Sequence, residues 1–169
     1  MAILRCTQKL LSELKLKPSD SMQQPSELSS WHANLLRIDR RKCILFTHDT
    51  TLYSFFVPGL KKPDFKNIHE VFRQNLFKSL MAENLSQKHI EIFLDDIREI
   101  EIYKTNNRSV LGSMNDLTFQ LKCQIADEGG IEITDITKLI HDLNRIPMSA
   151  IEEIYSIYEL KKLFKKLNR

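Results

Sequence analysis

The chain has 169 residues, the size of one domain that can bury most of its unfolded surface without disulfides. Apolar residues make up 42% and charged residues 28%, with only 4 glycines and 5 prolines, so collagen-like and low-complexity proteins are excluded. The net charge of +3 is too small to indicate a nucleic-acid partner by itself.

Apolar runs are short throughout the sequence. None approaches the roughly 18 residues that a membrane span requires. Arg5 and Lys9 interrupt the N-terminal stretch, where a secretion signal would have an unbroken apolar core. We therefore expect a cytoplasmic protein with no membrane span.

Cysteine and histidine spacing argues against a metal site. The three cysteines are far apart in the sequence, and none of the five histidines stands at ligand spacing. We expect Cys6, Cys43 and Cys123 to be reduced core residues. Phosphate-loop, dinucleotide, serine-hydrolase and zincin motifs are also absent from the sequence, so we expect neither a metal nor another cofactor.

The charge is unevenly distributed along the chain. Residues 1–62 carry ten Lys or Arg against five Asp or Glu, and residues 161–169 carry five against none. Residues 63–160 are acidic, with ten against seventeen. An anionic partner would therefore meet the N-terminal part or the C-terminal tail, although a charged surface without a partner fits the same pattern.

Residues 1–57 have the pattern of a small sheet. An apolar stretch over 1–6 predicts a strand, and leucines at helical spacing after Thr7 predict a short helix. The Pro- and Ser-rich segment 17–30 predicts an exposed loop. Short β-type runs at 34–38, 43–47 and 52–57 then predict an antiparallel meander, with the middle strand covered on both faces.

Downstream periodicity is mainly helical. Apolar stripes predict helices over about 67–83 and 86–97, then one capped by Ser113 and one capped by Thr134. Alternation near 99–103 indicates a further strand. A phase break near Glu159 separates a basic amphipathic helix over 159–169, which we expect to dock its apolar side on its own domain. The sequence thus predicts a single α+β domain over 1–169, a small antiparallel sheet packed against about four to six helices.

The segment WHANLLRIDRRK at 31–42 is the first candidate site. Guanidinium groups present planar forks to phosphate or carboxylate, and an exposed aromatic ring can stack a base. A solvated turn with the tryptophan in the core is an equally good interpretation. The candidate anion-binding residues of this segment are Trp31, Asn34, Arg37, Arg40 and Arg41.

The segment KTNNRSVLGSMND at 104–116 is the second candidate. Free backbone amides at a helix start beside a cation can hold an anion. Capping explains Ser113 and Asp116 but not Arg108 or Asn115. We therefore add Arg108, Ser109 and Asn115 to the candidate anion-binding residues.

Two histidines are candidates for a general base. His32 stands in the first segment and His48 in the hydroxyl-rich segment THDTT at 47–51. A hairpin loop rich in hydroxyl groups is the simpler explanation of the second.

Four blocks of the sequence resemble a bacterial family classed as a domain of unknown function. They are RCTQKLL at 5–11, WHANLLRIDRRKCILFTHDTTLYSFFVPGLKKPDF at 31–65, NRSVLGSMNDL at 107–117 and LNRIPMSAI at 143–151. The resemblance assigns no activity and no site residue. It implies that the blocks share one domain, which would bring Arg5, His32, Arg37 and Arg108 within reach of one another. Arg5 is therefore also a candidate anion-binding residue.

Three functions remain open. The first is a module that binds an anionic partner, nucleic acid or a nucleotide phosphate, on the basic sheet surface formed by residues 31–62 with Arg108 nearby. The second is a metal-independent phosphodiesterase or toxin-like ribonuclease that uses His32 or His48 as base. The third is a protein-interaction or structural module, for example a homodimer, that uses an apolar patch such as Phe55, Phe56 and Val57.

Overall fold

A five-stranded mixed sheet forms the centre of the fold in the computed structural model, which describes residues 1–21 and 24–167. The strands are β1 (Ala2–Cys6), β2 (Ser30–Ile38), β3 (Arg41–His48), β4 (Ser54–Leu60) and β5 (Ile100–Lys104). Their spatial order is β4-β3-β2-β1-β5. β4 and β5 are therefore the two edges.

Seven helices occur within the described residues. They are α1 (Gln8–Leu14), α2 (Lys62–Lys66), α3 (Ile68–Ala82), α4 (Gln87–Asp96), α5 (Arg108–Asp127), α6 (Ile136–Leu143) and α7 (Ser156–Leu167). The predicted α+β class is confirmed. None of the helices in the described part of the chain is long and apolar enough to cross a membrane.

The sheet combines two pairing modes. β2, β3 and β4 form the predicted antiparallel meander, and the strand near 99–103 is present as β5. β1, however, pairs in parallel with both β2 and β5, so the sheet is mixed rather than wholly antiparallel. The physical reason is that α1 and the following loop carry the chain back along β1 before β2 begins, a crossover that produces parallel pairing.

Helices cover both faces of the sheet. Face 1 packs against α1, α3, α4 and α7, and face 2 packs against α5 and α6. Side chains alternate between the faces along each strand. On β2, Trp31, Ala33 and Leu35 enter the face 1 core, whereas Leu36 and Ile38 enter the face 2 core. His32 and Asn34 share the parity of Leu36 and belong to face 2.

Several local predictions were wrong. α5 begins at Arg108 with Asn107 as its cap, so Ser113 is a buried residue of the helix rather than its start. Asp135, not Thr134, caps α6, because its side chain accepts a hydrogen bond from the Lys138 N–H. Cys123 is exposed, unlike Cys6 and Cys43, because it lies on the outer side of α5.

The expected apolar patch is also absent from the surface. Phe55, Phe56 and Val57 are all buried, because helices cover β4 on both faces. The C-terminal helix behaves as predicted, since the buried Leu160, Leu163 and Phe164 dock it on its own domain. It begins at Ser156, and residues 168–169 of the predicted helix lie outside the described residues.

Asn144 closes one end of the β4 edge. Its Oδ1 accepts from the Ser54 N–H at 2.8 Å, and its Nδ2 donates to the Ser54 carbonyl at 2.7 Å. The Ser156 hydroxyl donates to the same Oδ1 at 2.9 Å. The amide group thus replaces a neighbouring strand at Ser54 and joins the end of α6 to the start of α7.

We expect Asn144→Ala to lower the free energy of unfolding by about 2–4 kcal/mol, because it leaves buried backbone groups of Ser54 without partners. Urea denaturation of the two proteins measures the difference. Asn115→Ala, at an exposed position on α5, is the control and should change stability by less than about 0.5 kcal/mol. Equal effects of the two substitutions would contradict this assignment.

His48 is enclosed in the face 1 core. Its ring centroid lies 4.8 Å from that of Trp31, and its Nδ1 is 2.9 Å from the Thr51 hydroxyl. Burial lowers its pKa from 6.5 to about 4, although the Asp49 charge and the carbonyls of Glu27 and Leu28 act in the opposite direction. The ring is therefore neutral in the folded protein near neutral pH.

We expect acid to destabilise the fold through His48. As pH falls below about 6.5 the unfolded chain takes up a proton that the folded chain accepts only near pH 4, so stability present above pH 6.5 is lost across this window. The loss attributable to this group is about 3 kcal/mol. His48→Gln should flatten the pH dependence of urea denaturation. The exposed His69 provides the control, because His69→Gln should leave that dependence unchanged.

Candidate functional site

The β2–β3 turn and the β4–α2 junction form a strongly basic surface. A depression of about 500 Å³ lies between them. Its charged lining residues are all cationic: Arg40, Arg41, Lys42, Lys61 and Lys62. Arg37, which is exposed and stands opposite Lys42 on the neighbouring strand, extends this set. We call these six residues the basic surface.

Backbone geometry fixes the arginines of the basic surface. Asp39 and Arg40 form a two-residue hairpin turn, and both have positive φ angles, 50° and 65°. This is the geometry of a type I′ turn, in which Asn-Gly is favoured and a longer side chain is strained. The Asp39 carboxylate accepts from the Ile131 N–H at 2.8 Å and holds the turn against the end of α5.

The lysines are placed by strand pairing and by a helix start. Leu60 stands opposite Lys42 beside a bulge in the β3–β4 ladder, so the residues after β4 lie next to the β2–β3 turn. The Lys61 N–H donates to the Asp64 carboxylate at 2.7 Å, which fixes the start of α2. Lys61 and Lys62 therefore face the same depression as Arg40.

Most charges of the basic surface are uncompensated. Arg41 pairs with Glu132 and Lys42 pairs with Glu13. The side chains of the other four have no carboxylate partner within 4.0 Å among the described residues; these are Arg37, Arg40, Lys61 and Lys62. Four cations on one small area favour the approach of an anion.

Trp31 cannot serve as a stacking platform on this surface. It is fully buried in the face 1 core, where its ring makes edge contacts with Phe55, Phe72 and Phe93. Of the two interpretations of Trp31, the structure shows the core residue and not the base-stacking ring, because the helices of face 1 cover the strand from which it projects.

Arg5, His32 and Asn34 lie on face 2, away from the basic surface. Arg5 on β1 stands beside His32 on β2 in the parallel pairing of the two strands. Its guanidinium carbon lies 5.5 Å from the centre of the Tyr103 ring. The Asn34 Oδ1 accepts from the Thr7 hydroxyl at 2.8 Å. Arg37 lies on the opposite face of β2, about 17 Å along the strand from His32 at 3.3 Å per residue. The expected convergence of these residues in one pocket does not occur.

The start of α5 is also separate from the basic surface. Arg108 follows β5, which is the sheet edge opposite β4. The Asn107 side chain accepts from the N–H groups of Ser109 and Val110 at 3.0 and 3.1 Å. These amides are therefore not free for an anion. Asn115 lies about 10 Å further along the helix, at 1.5 Å per residue.

His32 is held by a short chain of hydrogen bonds. Its Nδ1 is 2.6 Å from the Asp49 Oδ1, and the Ser30 hydroxyl donates to the Asp49 Oδ2 at 2.6 Å. The ring is fully buried, and its Nε2 has no hydrogen-bond partner among the described residues. In a neutral ring the carboxylate keeps the proton on Nδ1 and leaves a lone pair on Nε2. This arrangement resembles the orienting half of a catalytic triad.

Lys61 and Lys62 were not named as individual candidates, although both lie within the segment 31–62 on which the anion-binding surface was expected. The signal was present, because a hairpin between 43–47 and 52–57 brings the residues after the second strand back to the turn before the first. The second histidine candidate, His48, lies on face 1 and does not contact the basic surface.

Comparison with protein families adds an identity without an activity. The family model for a domain of unknown function, DUF6933, matches residues 3–159. The match covers most of the chain, so the chain belongs to this family. A search of curated proteins found no match to this chain.

Proposed function

We propose that this DUF6933 domain binds a phosphate-bearing ligand, nucleic acid or a nucleotide, on the basic surface. One observation carries the proposal: the depression at the end of the meander has five cationic side chains and no carboxylate in its lining. Phosphate oxygens accept hydrogen bonds from guanidinium forks and ammonium groups, and both are present in this lining.

The strained turn supports this proposal. Arg40 adopts a left-handed conformation that costs roughly 1–2 kcal/mol for a residue with a side chain. Strain of this kind concentrates at functional sites. The presence of Arg40 at this strained position supports a role for its positive charge in binding, because binding would offset the conformational cost.

The lining of the depression presents no exposed aromatic ring on which a base could stack. Phe65 lines the depression but is 5% exposed, and Trp31 is buried. Contacts to phosphates without base stacking are independent of sequence and strongly dependent on salt. We therefore propose recognition of the phosphate backbone or of a terminal phosphate group, not of a base.

The combined substitution Arg40→Ala, Lys61→Ala and Lys62→Ala should weaken binding of a mixed-sequence oligonucleotide and lower its salt dependence. Each phosphate contact removed reduces the slope of log K against log salt by about 1, so we expect a reduction of about 3. Fluorescence anisotropy at several salt concentrations measures both quantities.

The control for this experiment removes three positive charges elsewhere. Lys122, Lys165 and Lys166 are exposed and lie outside the basic surface, so their replacement by Ala should retain most of the affinity. Equal losses in the two triple variants would show that net charge alone attracts the oligonucleotide, and the proposed site would be wrong.

The orientation of His32 favours a second candidate, metal-independent cleavage of RNA. The Nε2 of His32 would take the proton from a ribose 2′-hydroxyl, and the 2′-oxygen would attack the adjacent phosphorus and displace the 5′-oxygen, leaving a 2′,3′-cyclic phosphate. The protonated His32 or water would return a proton to the departing 5′-oxygen, and the neighbouring Arg5 would neutralise the phosphate. Because the Nε2 is buried, this reaction requires the cover of face 2 to open. The anion-binding proposal needs no such movement and is the better supported of the two.

Cleavage of a mixed-sequence RNA in the presence of a chelator tests the second candidate. We expect His32→Ala to abolish cleavage while circular dichroism shows an unchanged fold. His69→Ala, at an exposed position, should retain activity. An uncleaved substrate with the unmodified protein, or cleavage that persists in His32→Ala, would exclude His32 as the base.

A further inference from the structure

Two further hollows continue the depression of the basic surface around α2. The middle hollow, of about 320 Å³, shares Lys62 and Phe65 with that depression. The far hollow, of about 490 Å³, shares Phe65 and Lys66 with the middle hollow. Because neighbouring hollows have lining residues in common, the three form one continuous groove, which we call the α2 groove. It leads from the β2–β3 turn past α2 to the first turn of α3.

The α2 groove is cationic beyond the basic surface. Its lining adds Lys15, which directly follows α1, and Lys66 at the end of α2. Both side chains are exposed, and neither has a carboxylate partner within 4.0 Å in the described part of the chain. An anion that enters at the basic surface therefore meets further uncompensated cations along the groove.

Two carboxylates also line the added part of the α2 groove. Glu13 is paired with Lys42, so its charge is compensated inside the groove. Glu70 lies in the far hollow, where its Oε1 accepts from the Gln74 amide at 2.8 Å. Since the far hollow has one ammonium group and one carboxylate, the cationic part of the groove ends at Lys66.

A left-handed backbone conformation occurs at two cations of the α2 groove. Lys15 ends α1 with a φ of 55°, at a position where glycine or asparagine is favoured. Arg40, in the turn at the other end of the groove, has a φ of 65°. Long cationic side chains thus stand at two separate strained positions of one lining, which supports a role for both in binding.

The length of the α2 groove distinguishes between phosphate-bearing ligands. Each hollow has the volume of a site for one small molecule, so a mononucleotide would occupy only one of the three. α2 alone spans about 7.5 Å at 1.5 Å per residue, more than twice the roughly 3.4 Å between phosphates along one strand. A backbone that follows the groove would place successive phosphates against the basic surface and then against Lys15 and Lys66.

The shape of the α2 groove favours one strand over a duplex. The groove is concave and passes around Phe65, which lines all three hollows. A duplex carries its phosphates on the outside of a stiff rod and cannot follow a narrow, curved path. A single strand is flexible and is commonly held in a cationic groove that tracks its backbone.

We propose that the ligand of the basic surface is a single-stranded nucleic acid whose backbone follows the α2 groove. This inference rests on the phosphate-binding function proposed above and narrows its ligand from any phosphate-bearing molecule to a polymer of several nucleotides. Lys15 and Lys66 contact the polymer and not a mononucleotide, because only the polymer extends past the basic surface.

The double substitution Lys15→Ala with Lys66→Ala tests the proposal. For a single-stranded DNA of about 12 nucleotides, the slope of log K against log salt should fall by about 2, one for each phosphate contact removed. The affinity for adenosine triphosphate, which would occupy the basic surface alone, should not change. Fluorescence anisotropy measures the first ligand and calorimetry the second. An unchanged slope, or an equal loss for both ligands, would overturn the proposal.

Matched variants separate the groove from general charge effects. Lys165→Ala with Lys166→Ala removes the same charge from α7 and should leave the slope unchanged. Ser12→Glu places a carboxylate in the middle hollow from an exposed position on α1 and should weaken binding of the DNA. Ser149→Glu, at an exposed position outside the groove, should not. Equal effects within either pair would contradict the α2 groove as the path of the strand.

Strand length and strand form provide an independent readout. Affinity should increase from about 2 to about 8 nucleotides, and the double substitution of Lys15 and Lys66 should reduce this increase. A duplex of the same sequence should bind more weakly than the single strand at the same salt concentration, and equal binding would overturn the proposal. DNA and RNA share the phosphodiester backbone, so the same series with RNA shows whether the 2′-hydroxyl adds affinity.

Failure of this inference is distinguishable from failure of the proposed function. If the triple variant of the basic surface loses affinity for DNA and the Lys15 and Lys66 variant does not, phosphate binding stands and the α2 groove is wrong. If neither variant loses affinity, or the unmodified protein binds neither DNA nor adenosine triphosphate, both proposals are wrong.

Discussion

The pair of hydrogen bonds between Asn144 and the Ser54 backbone satisfies the polar groups at one end of the β4 edge. An edge strand presents unpaired groups that invite pairing with another chain. Here a side-chain amide occupies the position of the missing strand, and the Ser156 hydroxyl secures it. The same contact holds the end of α6 against the sheet. The path of the chain from α6 to α7 therefore depends on it.

The sequence predicted those parts of the fold that local signals control. Alternation and turn residues indicated the meander, and apolar stripes indicated α3 and α4. The direction of β1 could not be read locally, because it depends on the path that α1 and the following loop take to β2. The predicted start of α5 lay too far along the chain, because Ser113 and Asp116 have the spacing of a capping box. In the structure Asn107 is the cap. Competing caps are decided by tertiary packing.

The candidate site was predicted in part for similar reasons. Charge composition identified Arg37, Arg40 and Arg41, and strand pairing adds Lys61 and Lys62 to them. The burial of Trp31 and His32 depends on helices distant in the sequence, which no local pattern reveals. Arg37 and His32 were expected to converge, but an odd separation along one strand places them on opposite faces.

The two-residue turn at Asp39 and Arg40 bears on how this protein could be engineered. A hairpin chosen only for ease of folding would carry Asn-Gly at these positions, and exchanging the pair is a common route to a more robust domain. In this chain the exchange would keep an acceptor for the Ile131 N–H, because the asparagine Oδ1 can replace the Asp39 carboxylate oxygen, but it would remove the Arg40 guanidinium group. Thermal robustness and the proposed affinity for phosphate would then change in opposite directions at a single loop. Consensus stabilisation of this scaffold should accordingly leave that loop intact.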